Sequence, residues 1–403
     1  MKLVVRLGSR LRSPLRSRLQ LRLQLRLLAI AAAAWSSCSL AGAAVWLVQP
    51  GDSLVQALAR AVDGDSVHIA GGDHHAQVAV IRHKRLTLRG VAGPAGARPV
   101  LHAQGRHAEG KGTLVIRDGD IHIDNIEFRG ARVPDGNGAG IRFEGGRLVV
   151  SNCVFVDNEN GILSGNVAAA ELHVENSRFG QAPASSRLPH LLYVGRIARF
   201  TLTGSHFSGG RSAHLVKSRA LINHVYDNRL VDGPRGSAAY ELEFPNGGLA
   251  WVVGNVIAQS ADTTNPAIVS FGAEGAADGR EHGLFMAHNT LVSHGLRPAV
   301  FVHLHTLPGA VAKRFVNNLS VGLGVGVLEL ADASQGNFTL PISALRGAHE
   351  GDYALAPDSW LQGHGVPPGQ ARGVPLQPAG ALPQAASSTR LVPGRWSPGA
   401  LLH

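Results

Sequence analysis

The chain has 403 residues, with 44% hydrophobic residues, 16% charged residues, 50 glycines and a formal net charge of +10. This hydrophobic content excludes a chain that is disordered throughout, and the glycines suit frequent tight turns. Eight of the cations precede Leu27, and without them the formal charge is about +2, so the composition gives no reason to expect a nucleic-acid partner.

The N-terminal segment has the pattern of a secretory signal peptide. Its basic stretch leads into the apolar run 27–34 and then into Ala41-Gly-Ala43, small residues of the kind found at cleavage sites. We therefore expect a signal peptide over residues 1–43 and a bacterial protein exported to the periplasm or beyond. A lipoprotein acylated at Cys38 is the alternative, but no aliphatic residue stands where a lipoprotein has one. No other run is long enough to span a bilayer.

A short amphipathic helix is predicted next, over Asp52–Ala61, with Ser53 or Asp52 as its N-cap. It precedes Asp63-Gly-Asp-Ser, a turn that leads into the first strand. A helix in this place would cover the exposed end of a repeat protein's core.

One phrase recurs eight times between Ile121 and Ser320. It consists of an alternating apolar strand, a residue that is usually Asn, and a second apolar pair, as in Leu148-Val-Val-Ser-Asn-Cys-Val-Phe155. The position that is usually Asn falls at Asn125, Asn152, Asn176, Gly204, Asn228, Asn255, Asn289 and Asn318. Alternation predicts strands, and the repeat length predicts a solenoid that buries its apolar side against neighbouring units.

The recurring Asn resembles the internal Asn ladder of right-handed parallel β-helices, the pectin-lyase-like architecture. The resemblance implies an all-β, right-handed parallel β-helix solenoid over residues 44–340, with the N-terminal capping helix and an extended C-terminal closing segment over 341–403. A monomer is expected. The predicted core contains Ile123, Val150, Val174, Leu202, Ile141, Ile162, Leu192, Val216 and Leu242. Lyases, hydrolases, esterases and adhesins share this fold, so the fold does not fix the function.

Alternation also identifies one outward face. If Leu192, Val216 and Leu242 point inward, Tyr193, Lys217 and Glu243 stand outward at equivalent positions of three successive coils. Glu241 and Arg219 are assigned to the same face. His190 and His214 share an inward or corner position, and Glu274 lies on a loop that could wall a groove; with Glu241 they are the predicted substrate-binding residues.

This set of side chains suits β-elimination of a uronate-containing polysaccharide. The reaction needs a base for the C5 proton, a cation or metal at the uronate carboxylate, and an acid for the leaving oxygen. Lys217 is the predicted base, and Tyr193 or Arg219 the predicted acid. Glu241 and Glu243 are the candidate ligands of a Ca²⁺ ion.

The strand His214-Leu-Val-Lys217-Ser218-Arg219 resembles the Lys-Ser strand of β-helical alginate and dermatan lyases, in which the Lys is the base and an Arg the acid. The resemblance implies an exported lyase acting on an acidic polysaccharide. The alternative is a non-catalytic β-helix that binds envelope or extracellular polysaccharide, with Lys217 and Glu243 forming only a salt-bridge ladder.

Overall fold

A computed structural model describes residues 42–184, 189–276, 279–326, 334–378 and 396–400. The described residues from Val45 onward form one compact unit. The predicted signal peptide lies almost wholly outside the described residues. Within the described residues, no helix is both long and apolar enough to cross a membrane.

Three long parallel sheets make up the body of the protein. The 12-stranded sheet contains Val45–Val48, Ser66–Ala70, Arg85–Val91, Asp120–Asp124, Arg147–Ser151, Glu171–Glu175, Arg199–Thr203, Ile222–Tyr226, Leu249–Val253, His282–Ala287, Val311–Val316 and Ser334–Gln335. The 11-stranded sheet contains Gly72–His75, Pro99–His102, Glu127–Arg129, Val154–Val156, Arg178–Gly180, His206–Ser208, Arg229–Val231, Val256–Gln259, Thr290–Ser293, Leu319–Val321 and Phe338–Leu340. The 10-stranded sheet contains Ala79–Ile81, Gly112–Ile116, Ala139–Phe143, Asn160–Ser164, His190–Val194, His214–Ser218, Tyr240–Phe244, Ala267–Phe271, Ala299–Leu304 and Gly324–Val325.

Each complete coil contributes one strand to each sheet, and equivalent residues stack from coil to coil. Leu148, for example, pairs with Ile121 on the preceding coil and with Leu172 on the following one. The fold is therefore a parallel β-helix, as the repeats predicted. All nine predicted core residues are fully buried, because every second residue of these strands faces the interior.

The recurring Asn residues occupy two adjacent positions rather than one. Asn125, Asn152 and Asn176 have φ values of 58°, 54° and 48°, and they align with Gly204 and then with Asp227 at left-handed corners. Asn and Gly tolerate this backbone conformation better than other residues. The prediction that Asn228 and the later Asn residues share this position is wrong by one residue.

The later Asn residues form the hydrogen-bonded ladder. Asn228 donates to Asn255 at 2.9 Å, Asn255 to Asn289 at 3.0 Å, Asn289 to Asn318 at 2.8 Å, and Asn318 to Asn337 at 2.9 Å. The equivalent residues on earlier coils are Cys153, Ser177 and Ser205. Among the described residues, the Asn-to-Asn bonds are therefore confined to the second half of the solenoid, and on the earlier coils the row continues through the hydroxyls of Ser205 and Ser177, which accept from the backbone N–H groups of Ser177 and Cys153.

The predicted N-terminal helix spans Leu54–Arg60, and its N-cap is Ser53, whose hydroxyl accepts from the Gln56 N–H at 3.3 Å. Leu54 and Leu58 are buried in the main core, so the helix covers apolar surface as predicted.

Three one-turn 3-10 helices occur at Pro94–Gly96, Ile342–Ala344 and Ala348–Glu350. After Leu340 the chain forms two antiparallel pairs, Leu345–Gly347 with Asp352–Leu355 and Gln370–Ala371 with Val374–Pro375. Part of this segment packs on the 12-stranded sheet, where the Trp251 indole donates to the Ala371 carbonyl at 3.1 Å.

Candidate functional site

The outer face of the 10-stranded sheet carries the candidate site. Tyr193 pairs with Lys217, and Lys217 pairs with Glu243, on three successive coils. Strands of a sheet lie about 4.8 Å apart, so these three side chains are within direct reach of one another.

Lys217 is held between two carboxylates. Its Nζ lies 3.0 Å from Glu243 Oε2 and 2.8 Å from Glu274 Oε1, and its side chain is only 10% exposed. Glu274 comes from the loop that follows the strand Ala267–Phe271, and its side chain is 43% exposed. The sequence placed Glu274 at the groove wall but not in contact with Lys217.

Arg219 links the phenol of Tyr193 to the same loop carboxylate. Its Nε donates to Tyr193 Oη at 2.7 Å, and its terminal nitrogens donate to the two oxygens of Glu274 at 2.5 and 2.9 Å. A further bond of 2.8 Å runs from Nη1 to Oδ1 of Asn246. Arg219 and Lys217 thus converge on one carboxylate, with the phenol beside it.

His214 extends the site on the other side of Lys217. Its Nε2 lies 2.8 Å from Glu243 Oε2, without the angles of a hydrogen bond. The His214 ring stacks on His190 with 4.9 Å between centroids and on Tyr240 with 5.1 Å. His190 also meets Tyr193 edge-on at 5.1 Å, so this aromatic row lies alongside Tyr193, Lys217 and Glu243.

Burial and ion pairing set the charges in the site. The hydrogen bond from Arg219, aided by Lys217, lowers the pKa of Glu274 to about 2. Burial alone would raise the pKa of Glu243, but His214 and Lys217 outweigh it and lower the pKa. Burial lowers the pKa of His214, and the nearby Glu243 carboxylate offsets this only in part.

Glu241 does not belong to this face. It is fully buried, and both its carboxylate oxygens lack a hydrogen-bond partner among the described residues. The paired strands place it in one row with Leu215 and Ile268, which belong to the main core. The prediction of Glu241 as a groove residue therefore does not agree with its position, because a loop also covers the outer side at this end of the strand, where Leu215 packs against Gly210.

The side chains do not fit the predicted Ca²⁺ site. Glu241 is enclosed beneath the face, and Glu243 already has the Lys217 ammonium 3.0 Å from its Oε2. Ca²⁺ takes six or more oxygen ligands, and a carboxylate neutralised by an ammonium is a poor one. Within the described ranges, no cluster of three or more His, Cys, Asp or Glu side chains has the spacing of a metal site.

Asn246 was missed by the sequence analysis. It lies in Phe244-Pro-Asn-Gly-Gly248, which reads as an ordinary turn. Its Oδ1 accepts from Arg219, and its amide nitrogen donates to the Gly275 carbonyl at 2.8 Å. It therefore joins Arg219 to the loop that carries Glu274, a role that no spacing in the sequence indicates.

Two solved structures share the fold. The first is an alginate lyase from Paenibacillus sp. str. FPU-7, with a TM-score of 0.53 and 14% identity, covering 74% of this chain and 97% of that chain. The second is the pectate lyase Pel9A, with a TM-score of 0.51 and 12% identity, covering 90% of this chain and 97% of that chain. At these identities the similarity establishes the fold alone. No protein-family profile and no curated protein matches the sequence.

Proposed function

We propose that this protein is an exported polysaccharide lyase that cleaves a uronate-containing glycan by β-elimination. The observation that carries the proposal is the convergence of Arg219 and Lys217 on the Glu274 carboxylate, next to the Tyr193 phenol. This arrangement is a binding site for a carboxylate. In the free protein the partly exposed side chain of Glu274 occupies it.

The substrate carboxylate takes the place of Glu274 in this proposal. Arg219 binds it through two parallel N–H groups, the geometry that a guanidinium offers to a carboxylate. Asn246 holds Arg219 in position. Neutralising the carboxylate stabilises the negative charge that develops when the adjacent C5 loses its proton.

Lys217 is the proposed base. Its ammonium must first lose a proton, which the adjacent Glu243 carboxylate accepts and passes to His214 Nε2. Neutral Lys217 then takes the C5 proton, and the electrons of the broken C–H bond form the double bond between C4 and C5. The bond from C4 to the glycosidic oxygen breaks, and its electron pair leaves with that oxygen.

Tyr193 is the proposed acid that protonates the leaving oxygen. Its Oη accepts a hydrogen bond from Arg219, so its own O–H is free to point toward the substrate. After proton transfer the same guanidinium stabilises the phenolate. Solvent then returns the proton to Tyr193 and removes the one on Lys217.

The structural neighbours support this reaction class. Both are lyases whose names state a polyuronate substrate, alginate for one and pectate for the other. Their similarity rests on the fold, so it does not choose between these two substrates for this chain. The site itself selects for a sugar that carries a carboxylate, but not for one such sugar over another.

A panel of alginate, pectate, glycosaminoglycans and bacterial exopolysaccharides tests the proposal, read by the ultraviolet absorbance of the unsaturated product. We expect product from at least one acidic polymer and a loss of about 10²-fold or more in Lys217→Ala. Arg147→Ala is the matched control, because Arg147 lies on the 12-stranded sheet, exposed and paired with Asp120. Saturable binding of a polymer without product from any of them would instead identify a non-catalytic polysaccharide-binding protein.

A further inference from the structure

A second group of cations lies on the same sheet, on earlier coils. Arg142 pairs in register with Leu163, Leu163 pairs with Tyr193, and Tyr193 pairs with Lys217. At about 4.8 Å per strand, Arg142 is roughly 14 Å from Lys217 along one straight row.

This second group, the Arg142 cluster, contains more positive than negative charge. Its cations are Arg82, Lys111, Arg117 and Arg142, and its carboxylates are Glu109 and Glu144. Glu144 accepts from Lys111 at 2.5 Å and from Arg117, and Glu109 accepts from Arg82 at 3.0 Å and from Arg117. Four cations share two carboxylates, which leaves an excess of positive charge on this part of the face.

Arg142 carries the unused binding capacity. Its Nε lies 3.7 Å from Glu144 Oε1, too far for a hydrogen bond, and is buried without a hydrogen-bond partner among the described residues. Its side chain is only 23% exposed. A buried N–H group without a hydrogen bond is costly, and a ligand carboxylate can accept from two N–H groups of a guanidinium at once.

We propose that Arg142 binds a second carboxylate of the same polyuronate chain whose cleavage is proposed at Lys217, on which this inference rests. Each 1,4-linked pyranose advances a glycan by about one coil spacing, and three strand steps separate Arg142 from Lys217, so the second carboxylate belongs to a sugar about three residues from the one that is cleaved. Leu163 and Tyr193 lie between the two cationic positions and offer apolar surface to the faces of the intervening sugars. The ligand is an acidic oligosaccharide of at least four residues.

The length of the oligosaccharide decides whether it can contact Arg142. A hexasaccharide reaches both positions, whereas a trisaccharide at the cleavage site does not reach Arg142. Loss of the Arg142 contact therefore weakens the binding of the hexasaccharide but not that of the trisaccharide. If Arg142 belonged only to a salt-bridge network and bound no ligand, replacing it would change the binding of neither oligosaccharide and would alter only the stability of the fold.

The variant Arg142→Gln tests this, because it keeps most of the aliphatic stem and removes the charge. The matched control is Arg147→Gln on the 12-stranded sheet. With hexamers and trimers of the polymer that is cleaved, we expect KM for the hexamer to rise about tenfold or more, as for a lost charge-assisted hydrogen bond, with kcat and the trimer's KM unchanged. Arg142→Lys keeps the positive charge but loses the paired N–H groups of the guanidinium, so its KM for the hexamer should lie between the values of the wild type and Arg142→Gln.

The outcomes separate this inference from the proposed function. If no polymer is cleaved, the same proteins are titrated with alginate and pectate hexasaccharides by calorimetry, and a selective loss of affinity in Arg142→Gln still supports the subsite. Equal effects on hexamer and trimer, or no effect on either in a protein that melts like the wild type, would overturn it. If Arg142→Gln does not fold, the Arg142→Lys variant decides by the same comparison of lengths.

Discussion

Glu274 Oε1 lies 2.8 Å from Lys217 Nζ although 57 residues separate them in the sequence. The loop after the strand Ala267–Phe271 brings the carboxylate back across two coils, where it also accepts from Arg219. In the free protein this side chain occupies the place proposed for the substrate carboxylate.

Glu274→Gln should lower KM. The neutral amide competes less well than a carboxylate for Arg219 and Lys217, so an acidic substrate enters more easily. Because the pKa of Glu274 is depressed to about 2, its ion pairs stabilise the fold above the unfolded pKa near 4.3 and are lost only as pH falls toward 2. We expect KM to fall several-fold at pH 7 and stability to change by less than about 1 kcal/mol, since Glu274 is partly exposed. An unchanged or higher KM would show that Glu274 assists binding.

Tyr193→Phe should abolish most of the activity without unfolding the protein. The ring keeps its edge-on contact with His190, and only the hydroxyl that accepts from Arg219 is lost. As the loss of a general acid, we expect a decrease in kcat of about 10²–10⁴-fold, with stability lower by about 0.5–1.5 kcal/mol. Thermal unfolding and turnover should be measured on the same preparation. Wild-type turnover would remove Tyr193 from the mechanism.

Glu241→Leu should stabilise the protein, and more so at neutral than at acidic pH. Burial, aided by the Asp232 carboxylate, raises the pKa of Glu241 well above its usual value. An acid with a raised folded pKa binds more protons in the native state, so its contribution to stability is present at low pH and falls as pH rises above the unfolded pKa near 4.3. We expect a gain of about 1–3 kcal/mol at pH 7 and a smaller gain at pH 4, from denaturant unfolding. Leu fits because the row neighbours are Leu215 and Ile268; a loss of stability at pH 7 would contradict this account.

Asn255→Ala and Asn152→Gly should differ sharply. Asn255 donates to the Val225 carbonyl at 2.9 Å and to Asn289 at 3.0 Å, and accepts from the Asn228 amide at 2.9 Å, all in a buried ladder. Its removal leaves several buried groups unpaired, at about 1–3 kcal/mol each. Asn152 has φ of 54° and is exposed, so Gly should be tolerated with a change below about 1 kcal/mol. Equal losses in the two variants would show that both residues belong to one ladder.

The strands and most of the core were predictable from the sequence, since alternation depends only on neighbouring residues. Val150, Leu192 and Leu242 were assigned to the interior for this reason, and all three are fully buried. The same rule failed at Glu241, because alternation assumes one covered face. Leu215 and Val216 are both buried, because the loop that contains Gly210 covers the outer side of this strand as well.

The two uses of Asn were not separable in the sequence. A left-handed corner and a hydrogen-bonded ladder both favour this residue type, and they lie at adjacent positions of the coil. Only the strand pairing, which aligns Gly204 with Asp227 rather than with Asn228, assigns Asn152 to the first and Asn255 to the second.

The sequence by itself therefore determined the class of fold and the row of Tyr193, Lys217 and Glu243, because a regular repeat stacks equivalent residues at a fixed spacing. It did not determine which groups these side chains contact. Glu274 and Asn246 reach Arg219 from a loop and a turn, whose paths depend on packing rather than on periodicity. The tertiary structure alone decided that the cations converge on one carboxylate, and that Glu241 lies in the core.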